Sequence, residues 1–266
     1  MDDFENLKSF VFFIGTERSG SSLIGYLLDA HPNVVCSNET NILKRCAKST
    51  REETFQMIIE MSKKKARKAE GGRIGGGLWV YKVPNQHQGR YQNLKVIGDK
   101  KGGGAAQIIH SWRSIERREK NILSLQKKFN LPIKFISVCR NPFDYLGRRA
   151  ISPKGKRQGL DWLINDMLMR IEMSQQMDNL SSKHEAFEFY RLSNENFISN
   201  PEKELESLCK YVGVDSPQDY IRDCCSIVFK KPNKARHLVK WSDAQIERVL
   251  TKCSKYDVFK DYTFED

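Results

Sequence analysis

The residues 9–15 (SFVFFIG) form a continuous apolar run of strand length, the pattern of a strand buried on both faces. After Gly20 the spacing changes, and in SSLIGYLLDA the residues Leu23, Leu27 and Leu28 share one helical face. The chain thus opens with a buried strand, a glycine-containing turn and a helix. Ser49 and Glu52 form a capping-box pattern that predicts a second helix from Ser49 to about Glu70, where the glycines of 71–77 break it. Its lysine-rich end, SKKKARKAE, reads as a solvated face. Further strands are predicted at 78–83, 95–98 and 133–139, with a helical stretch over 111–129 between the last two and a Lys-Lys-Gly-Gly turn after Asp99.

The second half reads as mainly helical, over 142–151, 161–180, 201–212 and 242–253, with one strand near 186–192. The segment SPKGKRQG, between Ile151 and Leu160, combines proline, glycine and basic residues and predicts a mobile basic loop. Strands alternate with helices, so the expected fold class is α/β, with a central parallel sheet flanked by helices. No internal repeat or linker divides residues 1–266, which predicts a single domain.

Charge then adds a partner class. Lys plus Arg number 45 against 33 Asp plus Glu, a formal net charge of +12, which predicts attraction to an anion. The excess is local: 44–120 carries 19 basic and 7 acidic side chains, whereas 1–43 carries 2 and 6. Nucleic acid, a membrane surface and a phosphorylated small molecule are all compatible with that count alone. No run reaches the roughly 18 to 20 apolar residues of a membrane span, and the N-terminal MDDFENLKSF is acidic, unlike a secretory signal. The expectation is a soluble, cytoplasmic protein without a membrane partner. The seven cysteines are scattered and include no Cys-x-x-Cys pair, which fits reduced thiols. The five histidines show no paired spacing, so no metal site is expected.

The turn between the first strand and helix is Gly15, Thr16, Glu17, Arg18, Ser19, Gly20, Ser21, Ser22. It has the G-x-x-x-x-G frame of a phosphate-binding loop running into a helix N-terminus, where free N–H groups and the helix dipole favour an anion. A nucleoside triphosphatase places Lys directly after the second glycine. Here Ser21 stands there, and the cation lies inside the loop as Arg18.

Beyond the loop, GTERSGSSLIGYLLDAHPNVVCSNET resembles the 5′-phosphosulfate loop and following helix of the sulfotransferases, above all the tyrosylprotein sulfotransferase branch and its bacterial and small-molecule relatives. Matching residues are Arg18 to Ser22, then Leu28 to Pro32, then Cys36, Glu39 and Thr40. LPIKFISVCR followed by NPFDYLGRRAIS resembles the family's 3′-phosphate site, with Arg140 at the strand end and Arg148 or Ser152 as second ligand. KVIGDKKGG resembles the family's Gly-Asp-Lys, offering Lys100, for which Lys101 or Lys82 can substitute. ENFISNPEKELESLCKYVGV resembles a helix start that the family usually precedes with Tyr, where this chain has Asn194, and KKPNKARHLVKWSD offers Lys231.

The resemblance implies transfer of a sulfuryl group from 3′-phosphoadenosine 5′-phosphosulfate (PAPS) to a hydroxyl or amine, leaving 3′-phosphoadenosine 5′-phosphate (PAP), without a required metal. Arg18 and Lys100 would stabilise developing charge, with Glu39 as carboxylate base. Thr16, Glu17, Arg18, Ser19, Gly20, Ser21, Ser22, Arg140, Arg148, Ser152 and Lys231 would hold the donor. His31, in the helix-end His-Pro, reads as structural. The expected acceptor is a small molecule, with a peptide or saccharide as alternatives and no nucleic acid; the oligomeric state is unreadable. Two other classes stand beside this reading: a kinase or nucleotidase with an atypical loop, and a non-enzymatic polyanion-binding protein.

Overall fold

Parallel pairing joins β1 (Ser9–Ile14), β2 (Val34–Asn38), β3 (Val96–Lys100), β4 (Ile133–Cys139) and β5 (Phe187–Ser193) into one sheet of order β2-β3-β1-β4-β5. These coordinates are a computed structural model and describe residues 4–70, 80–111, 114–185 and 187–265. The helices in chain order are α1 (Ser21–Asp29), α2 (Ile42–Arg45), α3 (Arg51–Glu70), α4 (Gly102–Ser111), α5 (Ile115–Phe129) and α6 (Pro142–Ala150). They continue with α7 (Pro153–Gln158), α8 (Leu160–Ser181), α9 (Asn194–Ser199), α10 (Pro201–Val212), α11 (Gln218–Cys225) and α12 (Asp243–Cys253). The fold class is the expected one.

The apolar run of β1 serves two cores at once, because successive strand side chains point to opposite faces. Phe10, Phe12 and Ile14 pack with α3, α5 and α8 on one side, and Val11 and Phe13 pack with α1, α10 and α11 on the other. Every β1 residue is buried, which is why this strand lacks polar alternation. A third cluster joins α6, α8 and α12. There the Arg236 guanidinium donates to both Asp144 carboxylate oxygens at 3.0 and 2.7 Å, and both side chains are buried. This bidentate pair seats the segment around 229–241 on α6.

Five expected elements differ. The second helix starts later, because the capping box is Thr50 with Glu53: Glu53 N–H donates to the Thr50 hydroxyl at 3.1 Å and Thr50 N–H to the Glu53 carboxylate at 2.8 Å. Of the strand expected at 78–83, residues 80–83 join no ladder, and 78–79 lie outside the described residues, as does the glycine break at 71–77. Of the Lys-Lys-Gly-Gly turn, Lys100 ends β3 and Gly102 and Gly103 open α4, and the helix expected from Ser111 begins at Ile115, capped by the Ser114 hydroxyl. The basic loop after Ile151 is α7, with Ser152 as N-cap and Pro153 at the first helical position.

Asp29 and His31 fix the end of α1. The buried Asp29 carboxylate accepts from Cys36 N–H at 2.9 Å and from the Ser62 hydroxyl at 2.7 Å, tying β2 and α3 to α1, and burial pushes its pKa up to about 7. His31 accepts Asn33 N–H on Nδ1 at 3.0 Å and donates from Nε2 to the Asp215 carbonyl at 2.9 Å, which requires the neutral ring. Burial pushes the His31 pKa down to about 4. The unfolded value is about 6.5, so this contribution to stability is full above that pH and is lost as pH falls towards 4. In His31→Gln, urea midpoints at pH 7 and pH 5 should differ less than in the wild type.

Candidate active site

Each strand delivers one segment of the candidate site from its carboxyl end, the edge where open parallel sheets bind ligands. The phosphate loop follows β1, Glu39 follows β2, Lys100 ends β3, Arg140 follows β4 and Asn194 follows β5. Residues far apart in sequence thus share one rim.

Gly15, Arg18 and Gly20 all have positive φ, at 116°, 66° and 101°, and the Ser19 hydroxyl closes the loop by donating to the Thr16 carbonyl at 2.9 Å. A Cβ on Gly20 would lie 2.1 Å from Asn194 Nδ2, so only glycine lets Asn194 close on the loop. Glu17 turns towards α6 and α8. Its carboxylate pairs with Arg149 at 3.2 Å and Arg170 at 3.3 Å, and both arginines also engage Asp166. Arg170 further donates to the Gly103 carbonyl at 2.6 Å, which ties the loop to the first turn of α4. A Cβ on Gly103 would stand 2.1 Å from the Glu17 carboxylate, and that close approach explains glycine at this turn.

Two cavities meet at the loop. The first, of about 390 Å³, is lined by Arg18, Gly20, Ser21, Ser22, Arg140, Arg148 and Lys231, together with Tyr81, Asn194 and Phe229. The second, of about 360 Å³, is lined by Glu17, Arg18, Ser21, Ser22, Tyr26, Glu39, Lys65, Lys100, Lys101 and Lys154, among others. Arg18, Ser21 and Ser22 are common to both, so the loop and the start of α1 form a shared wall.

Arg140 donates to the Arg18 carbonyl at 3.3 Å and to the Asn233 carbonyl, while its buried Nε has no partner among the described residues. Arg148 and Lys231 reach the same cavity, but Ser152 does not: its hydroxyl donates to the Arg149 carbonyl at 2.6 Å and caps α7 by accepting Gly155 N–H. Thr16 and Ser19 shape the loop without lining either cavity.

In the second cavity, the buried Lys100 Nζ donates at 2.7 Å both to the Ser22 hydroxyl and to the Glu39 carboxylate, whose other oxygen accepts from Lys101. Burial alone would raise the Glu39 pKa, but the two ammonium groups outweigh it and hold the carboxyl below its usual range. Glu39 itself sits at φ 64°, with its N–H donating to the Lys100 carbonyl at 2.9 Å. Asp99 fixes this corner. Its buried carboxylate accepts from Thr40 N–H, Ile42 N–H and the Ser37 hydroxyl.

Solved structures reproduce this architecture over nearly the whole chain. A sulfotransferase domain of the Synechococcus PCC 7002 olefin synthase is 16% identical, with 95% of this chain and 96% of that one covered at a TM-score of 0.54. The fold is that of the sulfotransferases. A sulfotransferase domain from the curacin biosynthetic pathway (14% identity, 94% and 99% covered, TM-score 0.52) and sulfotransferase STF9 from Mycobacterium avium (8%, 97% and 79%, 0.51) agree. No family model matches the sequence, and no curated protein is similar to it.

Against this sulfotransferase fold, sequence reasoning missed Tyr81 and Phe229, whose rings meet edge to face at 6.4 Å between centroids beside the first cavity. It also gave no role to Asn194, and it read Lys65 as part of a solvated face and Lys154 as part of a mobile loop, whereas both line the second cavity. Among the described residues, no helix is long and apolar enough to cross a membrane, and no group of three or more His, Cys, Asp or Glu side chains is placed to hold a metal.

Proposed function

We propose that this chain is a sulfotransferase that binds PAPS in the first cavity and passes its sulfuryl group to a hydroxyl or amine of a small molecule in the second. The observation that carries this reading is the shared wall: Arg18, Ser21 and Ser22 border both cavities, with Lys100 bonded to Ser22 and Glu39 immediately behind. When bound, the donor supplies an activated sulfuryl group on its 5′-phosphate. The free N–H groups at the start of α1, with the Ser21 and Ser22 hydroxyls, hold that phosphate. Arg140, Arg148 and Lys231 receive the 3′-phosphate, and Tyr81 and Phe229 offer ring surface to the base.

Arg18 and Lys100 stand where a leaving phosphate and a transferring group gather charge, and Lys100 is fixed before reaction by its two hydrogen bonds. Glu39 orients the acceptor and takes up its proton as the new bond to sulfur forms and the bond between sulfur and the 5′-phosphate oxygen breaks, releasing PAP. Because two lysines keep this carboxyl ionised, it is a weak base. Glu39→Gln should therefore lower kcat by about tenfold, below the 10²–10⁴ range usual for a general base. PAP affinity should stay within twofold, since Glu39 lies outside the first cavity. Incubation with ³⁵S-labelled PAPS and a panel of phenols, alcohols and amines tests the reading: label should move to acceptor without added magnesium, and retention of all label on the donor would refute it.

A further inference from the structure

The second cavity carries more positive charge than sulfuryl transfer uses. Five cations line it, Arg18, Lys65, Lys100, Lys101 and Lys154, against the two carboxylates Glu17 and Glu39. Both carboxylates are already engaged: Glu17 by Arg149 and Arg170, which do not line the cavity, and Glu39 by Lys100 and Lys101. Arg18 and Lys100 face the transferring group in the reading above. That leaves the half-buried Lys65, on α3, and the exposed Lys154, on α7, which have no ion pair or hydrogen bond among the described residues.

Lys65 stands in an environment short of anions. Burial and the like charges of Lys68, Lys100 and Lys101 lower its pKa, against the opposing pull of Glu39. A partly buried ammonium among other ammonium groups is unfavourable until an anion joins it. The two surplus lysines come from separate elements, α3 and α7, that border one cavity. Most of the lining cations, Lys65, Lys100 and Lys101, also belong to the basic segment 44–120.

We infer that the acceptor is itself a small anion, whose acidic group is held by Lys65 and Lys154 while its hydroxyl or amine lies beside Glu39 and Lys100. This inference rests on the sulfotransferase reading and adds the charge class of the acceptor. An acidic group there neutralises the surplus and fixes the far end of the acceptor, so that the nucleophile is held in one orientation towards the shared wall. It also discriminates, because a neutral analogue of the same shape leaves both lysines unpaired.

The test uses PAP-saturated full-length protein, titrated calorimetrically with para-hydroxyphenylacetate and para-hydroxyphenylacetamide, and with para-(hydroxymethyl)benzoate and its amide. In each pair the carboxylate should bind about tenfold or more tightly than the amide, as expected for hydrogen bonds to charged groups. In the double variant Lys65→Gln, Lys154→Gln the preference should fall below about twofold, with an unchanged melting temperature and unchanged PAP affinity, because neither lysine lines the first cavity. Equal binding of carboxylate and amide, binding of neither, or a preference that survives in the double variant overturns the inference. PAP binding without any preference for the carboxylate removes only the inference. Failure of PAP to bind removes the sulfotransferase reading and the inference with it.

Discussion

Lys100→Met should lower kcat by about 10²- to 10³-fold, the loss expected when one preorganised donor is removed from a developing negative charge. Lys100 is suited to that role because its ammonium is buried and has little freedom: Ser22 and Glu39 each accept from it at 2.7 Å. Methionine keeps the unbranched shape and removes the charge. PAP affinity should change by less than about threefold, because Lys100 borders the second cavity and not the first. Removing the ammonium also leaves Glu39 with Lys101 alone, so the acid limb of the kcat profile should move to higher pH. Steady-state kinetics at several pH values, with PAP titrations alongside, would show both effects. Wild-type turnover in Lys100→Met would remove this residue from the chemistry.

Gly20→Ala should weaken PAP binding by about 10²-fold. The residue sits at φ 101°, where an L side chain is strained, and the new Cβ would lie 2.1 Å from Asn194 Nδ2. Strain of this kind costs about 1–3 kcal/mol, and the contact adds to it. Asn194 can relieve the contact by moving away, but the backbone strain is relieved only by movement of the loop, which displaces the N–H groups proposed above to receive the 5′-phosphate. Adding Asn194→Ala should recover part of the loss by removing the contact while leaving the backbone strain. Calorimetric titration of both variants with PAP separates the two contributions. An unaffected Gly20→Ala would mean that the loop does not bind the nucleotide.

The elements that sequence reasoning placed well are those whose signal is local. β1 shows as an apolar run, β4 spans the residues expected of it, and α10 starts on Pro201 and stops before Gly213 as helix-terminal chemistry directs. The loop residues Arg18 to Ser22 are likewise contiguous, so their motif is readable before any fold is known. α4 was hidden because three consecutive glycines read as a turn; tertiary contact with Glu17 explains the glycine at 103. α7 carried a legible start, Ser152 followed by Pro153, that the basic composition obscured. Val80 and Val83 are buried by packing rather than by strand pairing, a distinction that alternation alone does not make.

In the site, nonlocal assembly set the limit. Tyr81 and Phe229 meet only through the fold, and neither lies in a motif. The choice among Lys82, Lys100 and Lys101 depended on which ammonium the β3 end would carry to Glu39. The structure brings Lys100 and Lys101 there, and Lys82 lines neither cavity. Arg148 and Ser152 were equivalent as candidates until α7 engaged the Ser152 hydroxyl as its cap.

The first cavity is proposed to hold a nucleotide bearing phosphates at both its 3′ and 5′ positions. The most direct test is calorimetric titration of the wild-type protein, without magnesium, with PAP and with adenosine 5′-phosphate. PAP should bind with micromolar or tighter Kd, and adenosine 5′-phosphate at least about tenfold more weakly, because the cations at Arg140, Arg148 and Lys231 lose their partner. Equal affinity for the two nucleotides, or tight binding of magnesium ATP with none of PAP, would contradict the account.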